Sequence, residues 1–337
     1  MHRKHLVSRY SLGVLVKICS NSRLTRKLQK IELISAEPMD FATDWDQWRL
    51  DYKRLMSDHI SGLVWATFDF LSKDGRSPTV AVNDVTVAGC FGMKEATRQF
   101  FSKNFAAEEC GPVIRLLVSG IAKTSFKLKK LELYTESQYH FLTYDALSIG
   151  DGLSNAAQIC WSHLSALSLG LDDDMIINNG DALEKLLSAT ANLKSLSIIN
   201  KMMSDQPEID IETLEFFVYA AAHCPLESLS LARYSAREED FIALLSLFTA
   251  TLKALKLDST KVVEPGCWSR ISRYLLTDFC LAKFEACDLF RDTLDGELWL
   301  LNWHGVPGNM VFEGADGKRV ADGLREMTEP PKYSVKV

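Results

Sequence analysis

No apolar run in the chain approaches the roughly 18 residues needed to cross a bilayer, so a transmembrane reading fails. There is no Cys-x-x-Cys, and no paired Cys and His motifs at zinc-finger spacing involve the eight cysteines. There is also no Asn-x-Ser/Thr acceptor. Scattered single cysteines without such acceptors fit a reduced compartment, cytoplasmic or nuclear, where each thiol serves as a small buried hydrophobe. The start lacks the long apolar core and small-residue cleavage site of a secretory signal.

Acidic residues are missing from one place. Of the 38 Lys and Arg, eight precede Glu32 with no acid among them, leaving 30 against 44 Asp and Glu in the remainder. An acidic body argues against nucleic-acid binding, which needs a basic stripe along its length. Neither nucleic acid nor membrane is an expected partner. The basic start also fits a mitochondrial transit peptide, so mitochondrial targeting stands beside the cytoplasmic or nuclear expectation.

Catalytic and metal constellations are sparse. Asp172-Asp-Asp174 lacks the spaced ligands and bidentate Glu of a calcium loop and reads as a solvated acidic loop. Gly314-Ala-Asp-Gly317-Lys318 has the wrong glycine spacing for a phosphate loop. His223 and Cys224 are neighbours where a helix gives way to a strand, and packing explains them. Gly150-Asp-Gly152 is a turn. No enzyme activity, metal or cofactor is therefore expected.

What the chain does contain is a repeat. The pattern Leu-x-x-Leu-x-Leu stands at Leu128-Lys-Lys-Leu131-Glu-Leu133 and Leu164-Ser-Ala-Leu167-Ser-Leu169. It returns at Leu193-Lys-Ser-Leu196-Ser-Ile198, Leu226-Glu-Ser-Leu229-Ser-Leu231 and Leu252-Lys-Ala-Leu255-Lys-Leu257. A degenerate copy is Leu281-Ala-Lys-Phe284-Glu-Ala286, and an outlying one is Leu28-Gln-Lys-Ile31-Glu-Leu33. The first leucines at 128, 164, 193, 226, 252 and 281 fall 26 to 36 residues apart. Each six-residue block alternates apolar and polar and predicts a short strand with one buried face.

Between the blocks the apolar spacing turns helical. Val113, Ile114, Leu117 and Ile121 share one face; so do Leu183, Leu186 and Leu187, with Asp181 and Glu184 as a capping pair. Leu214, Phe217, Val218 and Ala221 make a third face, and Phe241, Leu244, Leu245 and Phe248 a fourth. A doubly wound sheet also alternates strand and helix, but no strand here leads into a Gly-rich loop and the strands are short and one-sided. The expected fold is α/β, an irregular leucine-rich-repeat solenoid with a curved parallel sheet and an N-terminal helical extension.

Four regions follow. Residues 1–35 hold a helix with Leu12, Leu15, Val16 and Cys19 on one face, then the first repeat-like strand. Residues 36–112 break the period and read as an irregular insertion packed on the solenoid. There Thr43 and Asp46 suggest a helix start, Trp45, Trp48, Tyr52, Leu55, Met56 and His59 fall on one face, and Val80, Val82, Val85 and Val87 suggest a strand or two. Residues 113–298 are the solenoid. Residues 299–337, with Trp299, Trp303 and His304, read as a cap and tail; a peptide pocket around the tryptophans is the sharper alternative.

The third and fifth residues of each block point away from the core. These are Lys130 and Glu132, Ala166 and Ser168, Ser195 and Ser197. The series continues with Ser228 and Ser230, Ala254 and Lys256, Lys283 and Glu285. The middle is a strip of serine and alanine suited to close approach by a protein partner, with charges at its ends. Loops at the strand ends are the other candidate for binding.

Several stretches resemble the C-terminal region of filamentous-fungal F-box proteins with leucine-rich repeats. They are residues 11–18 (Ser-Leu-Gly-Val-Leu-Val-Lys-Ile), Arg23 to Leu33, the Phe41-Ala-Thr-Asp-Trp-Asp-Gln-Trp48 helix start, Val113-Ile-Arg-Leu-Leu117 leading to Leu128, and Leu252 to Leu257 followed by Trp268. The resemblance implies a non-catalytic scaffold whose repeats recruit a substrate protein. In that family an F-box docks the Skp adaptor of a cullin ubiquitin ligase. Here no Leu-Pro start and no helical trio precede the first strand, so Skp docking is expected only with an F-box upstream. That ubiquitin-ligase receptor is the alternative expectation.

Overall fold

The computed structural model describes residues 1–7, 9–34, 36–38, 58–83, 105–107, 111–124, 126–134, 161–171, 187–200, 222–263, 267–292, 298–302, 309–314, 317–329, 331 and 333–336. Outside them lie the expected helix start at Thr43 and Asp46, the face from Trp45 to Met56, and Val85 and Val87. So do residues 150–152, 172–174, 181–186 and 214–221, together with Trp303, His304 and residues 306–308. The fold is α/β with mostly parallel strands. It divides into two units, Met1–Leu171 with Asp181–Thr190, and Asp172–Gly180 with Ala191–Val337.

In the first unit β1 (His2–Leu6) is followed by α1 (Arg9–Cys19), α2 (Ser22–Thr25), β2 (Lys30–Ile34) and β3 (Ala36–Pro38). Then come α3 (Asp58–Lys73), β4 (Thr79–Asn83), β5 (Phe105–Ala107), α4 (Gly111–Ala122), β6 (Lys130–Tyr134) and β7 (Ala166–Leu171). β1, β2, β4, β6 and β7 pair in that order, all parallel, while β3 and β5 form a separate antiparallel pair. The helical periodicity is realised, with Leu12, Leu15 and Cys19 of α1 and Val113, Ile114, Leu117 and Ile121 of α4 buried and Val16 half-buried. α1 packs on α3 and α3 on α4. At Gly120 the last two come so close that an added Cβ would stand 2.7 Å from Val64 Cγ1. Asn21 accepts from the Arg23 and Leu24 amides, and so starts α2.

Two strands depart from expectation. The chain opens with β1 ahead of the helix, and its inward position opposite Leu33 holds His5 instead of a leucine. β4 lies inside the stretch read as an insertion, and it stands between β2 and β6 as a full member of the row. It was missed as a repeat because Ser77, not leucine, stands where the pattern begins. The Ser77 hydroxyl donates to the Lys127 carbonyl at 2.7 Å and replaces the leucine's packing with a hydrogen bond.

The second unit holds β8 (Ser195–Asn200), β9 (Ser228–Ala232), β10 (Ser235–Arg237), α5 (Glu238–Ser246), β11 (Ala254–Asp258), β12 (Lys261–Val263) and α6 (Trp268–Asp278). It continues with β13 (Lys283–Cys287), β14 (Leu289–Asp292), β15 (Leu298–Asn302), β16 (Asn309–Glu313), α7 (Lys318–Thr328) and β17 (Tyr333–Lys336). β8, β9, β11 and β13 are parallel, and β16 closes the row antiparallel to β13. A second sheet runs β10-β12-β14-β15-β17, its first three strands parallel and its last two antiparallel. The tail expected at the end of the chain is thus a strand, and Trp299 lies on β15 opposite Arg291 and Lys336.

The turn into that second sheet repeats. Arg233, Ser259 and Asp288, each four residues beyond the strand's first inward residue, take left-handed φ of 64°, 49° and 49°. Reversing the chain there sends Tyr234, Thr260 and Leu289 into the core, all essentially unexposed. The first two turn amides bond to the neighbouring copy, Arg233 to the Asp258 carbonyl at 2.7 Å and Ser259 to that of Cys287 at 2.8 Å. Farther on, the buried Glu238 carboxylate accepts from the Cys267 amide at 2.7 Å and lies 2.8 Å from Arg270. It thus caps α6 from the preceding repeat.

Candidate functional site

Every complete Leu-x-x-Leu-x-Leu block forms a strand that starts at its third residue. The inward residues Leu131, Leu133, Leu167, Leu169, Leu196, Ile198, Leu229, Leu231, Leu255 and Leu257 are buried. Each such side chain contributes roughly 1.5–3 kcal/mol of hydrophobic stabilisation, which fixes the face every strand shows outward.

In the first unit Lys130 stands opposite Ala166 and Glu132 opposite Ser168. The face extends through Thr79 and Ala81, Lys30 and Glu32, and His2 and Lys4. Its charges pair with one another. Lys30 Nζ reaches over β4, across the small Ala81, to Glu132 Oε2 at 2.5 Å, and Lys130 Nζ lies 3.1 Å from Oε1. Glu32 is only 2 % exposed, with His2 Nε2 at 2.8 Å and Lys4 Nζ at 3.2 Å. Burial pushes the Glu132 carboxyl up, but the hydrogen bonds from Lys30 and Lys130 outweigh it and hold it below the usual carboxylate range. Glu132, expected to meet a partner, is thus engaged within its own sheet. Its partner Lys30 lies 102 residues away, and no spacing in the sequence announces it.

In the second unit Ser195, Ser228, Ala254 and Lys283 form one row. Ser197, Ser230, Lys256 and Glu285 form the next. The serines and alanines are half-buried and leave a flat surface in which each hydroxyl can donate once and accept twice. Glu285 sits between Lys256 at 2.8 Å and Lys283 at 3.4 Å. The Lys256 hydrogen bond, against some burial and helped by Lys283, holds its carboxyl below the ordinary value.

Sequence reasoning stopped at the fifth residue of each block and missed a third row, Ile199, Ala232, Asp258 and Cys287. Period-two alternation carried two residues further would have found it. It also missed Val311 on β16, opposite Glu285 and 51 % exposed. The Cys287 thiol is pushed up to about 11, first by burial and then by Asp288 and Asp258, which makes it a poor nucleophile.

Of the other residues considered for chemistry, those among the described residues have structural partners. Cys224 is buried with its Sγ 3.6 Å from His223 Nε2. Gly317 takes a left-handed φ of 68° at the start of α7, where a Cβ would press on the Leu281 carbonyl at 3.0 Å. Its amide is bonded to the Gly314 carbonyl. Among the described residues no group of three or more His, Cys, Asp or Glu could hold a metal ion, and no helix is long and apolar enough to cross a membrane. No protein-family model and no curated protein matches the chain.

Proposed function

We propose that the chain is a leucine-rich-repeat protein whose outward strand face recognises a protein partner and which performs no chemistry of its own. The observation that carries this reading is the register: two straight rows of small and paired polar side chains, presented by strands whose inner faces are fully committed to the core. The repeat frame supports it. Residues 226–236 read Leu-x-x-Leu-x-Leu-x-x-Tyr-x-Ala, and residues 252–262 read Leu-x-x-Leu-x-Leu-x-x-Thr-x-Val. This is the leucine-rich-repeat frame with Tyr234 and Thr260 where Asn or Cys is usual. The resemblance to fungal F-box repeat proteins adds substrate recruitment as the role. Docking to a Skp adaptor, nucleic acid or a membrane is not part of the proposal.

The test is affinity capture from cells that express the protein, read by mass spectrometry, with the parent chain and with Ser197→Arg/Ser230→Arg. The parent is expected to retain a reproducible protein that the variant loses while keeping the parent's circular dichroism. Identical partner sets for both would refute the strand face as the binding surface.

A further inference from the structure

Strands of the first unit begin beside one another, and their N-terminal ends gather cations that no acid among the described residues answers. The backbone order is set by hydrogen bonds: the Gln29 amide to Met1 O, the Thr79 amide to Gln29 O and the Ser165 amide to Lys129 O. Lys27 stands just ahead of β2, and Lys127 and Lys129 just ahead of β6. All three are exposed, and among the described residues none makes an ion pair. On a strand spacing of about 4.8 Å, the two groups sit two strands and so about 10 Å apart.

The same place in the second unit is built differently. There Glu227 stands between Lys194 at 2.8 Å and Lys253 at 3.0 Å, and those two lysines hold its carboxyl below the ordinary range. One rim neutralises itself and the other does not. The backbone at Lys127 and Lys129 is also held by hydrogen bonds. Ser77 Oγ donates to the Lys127 carbonyl at 2.7 Å and accepts from the Lys129 amide at 3.3 Å, while Ser165 Oγ donates to the Lys129 carbonyl at 3.0 Å. Holding the backbone of Lys127 and Lys129 fixes where these two side chains start and lowers the entropy lost when an anion is bound.

We propose that this rim, Lys27, Lys127 and Lys129, is a docking site for a short acidic segment of a protein partner. Four extended residues span about 13 Å, so two acids three or four positions apart reach both lysine groups. On the face behind the rim Lys4, Lys30 and Lys130 are already paired with Glu32 and Glu132, so that face offers a long polyanion no run of unpaired cations among the described residues. A nucleic-acid strand, which needs a basic stripe along its length, is disfavoured for that reason. The inference rests on the protein-binding reading above and adds the chemistry of the partner.

The test uses the full chain and a fluorescein-labelled octapeptide of alternating Glu and Asp, with its Gln/Asn counterpart as control. Anisotropy is expected to show binding of the acidic peptide alone. Lys27→Glu/Lys127→Glu/Lys129→Glu should weaken it about tenfold or more. Arg9→Glu/Arg273→Glu/Arg319→Glu makes the same change in net charge elsewhere and should leave it intact. If the reversal variant misfolds, the three Lys→Gln changes replace it.

Equal binding by the rim variant and the parent overturns the proposal, as does equal loss in the control variant. Tighter binding of an oligothymidylate, or of equimolar phosphatidylserine–phosphatidylcholine vesicles, at the same ionic strength overturns the choice of partner. A captured protein that survives the rim changes but is lost with Ser197→Arg/Ser230→Arg sinks the rim and leaves the strand face standing.

Discussion

Replacing His5 with leucine is expected to remove about 2 kcal/mol of acid sensitivity between pH 7 and pH 5. His5 fills the inward place on β1 that Leu33 fills on β2, Val82 on β4 and Leu133 on β6. It has no exposed surface, and its Nδ1 lies 3.0 Å from Ser11 Oγ. Burial pushes its pKa from 6.5 down to about 4; the bond to Ser11 opposes the shift and Arg3 adds a little to it. The folded chain therefore keeps the ring neutral over a range in which the unfolded chain protonates it.

Below pH 6.5 the unfolded state holds more protons, so stability present above that value is lost as the pH falls through 4. A displacement from 6.5 to about 4 corresponds to about 3 kcal/mol in full and about 2 kcal/mol at pH 5. The carboxylates act in a lower window. Glu132 and Glu285 have folded pKa values below the ordinary one, so their contribution is lost only as the pH falls below about 4.5. The remaining histidines are common to both proteins and cancel. The assay is urea unfolding at pH 7 and pH 5 at fixed ionic strength, comparing parent with His5→Leu. The parent should lose about 2 kcal/mol on acidification and the variant almost none, whatever their absolute stabilities. Equal losses in the two would refute the reasoning.

Two further substitutions test the packing of the second unit. Gly323 on α7 lies so close to Phe312 that a Cβ would stand 2.5 Å from its ring, and that ring stacks on the buried Phe284 at 6.3 Å. Gly323→Ala should therefore cost about 1–3 kcal/mol and lower the thermal midpoint, although alanine is the better helix former. A raised midpoint would mean the ring moves freely. At Ser259, with φ of 49°, glycine should stabilise by about 0.5–1 kcal/mol and valine should destabilise by at least as much. Denaturant midpoints in the reverse order would contradict the assigned turn.

The parts of the fold legible in the sequence were those where one residue type recurs at one spacing. Leucines at the first, fourth and sixth places, with Ile198 in one copy, gave the inward residues of β6, β7, β8, β9 and β11, because a one-residue slip would turn every one of them outward. Phe284 and Ala286 kept enough of that alternation to mark β13. β1 escaped because His2-Arg-Lys-His-Leu6 is mostly polar, and its one fully buried inward side chain is a histidine. β10, β12 and β14 escaped because strands of three or four residues have too few positions to show a period. At the candidate face, period two gave the direction of each side chain. It could not give the pairing of Lys30 with Glu132, which depends on β4 bringing distant segments to neighbouring strands.

The reversed strand β16 sets a limit on how this architecture grows. A parallel row offers, beyond its last member, an edge that another strand of the same kind can extend, and such an edge invites open-ended polymerisation. β16 runs against β13 in continuous register, and α7 packs against it through Gly323. Duplication of a repeat can therefore lengthen the array only upstream of β13. The strands opening at residues 228, 254 and 283 set the length of such an insert at 26 or 29 residues. An insert placed after β13 would have to pair where the chain already turns back along β16.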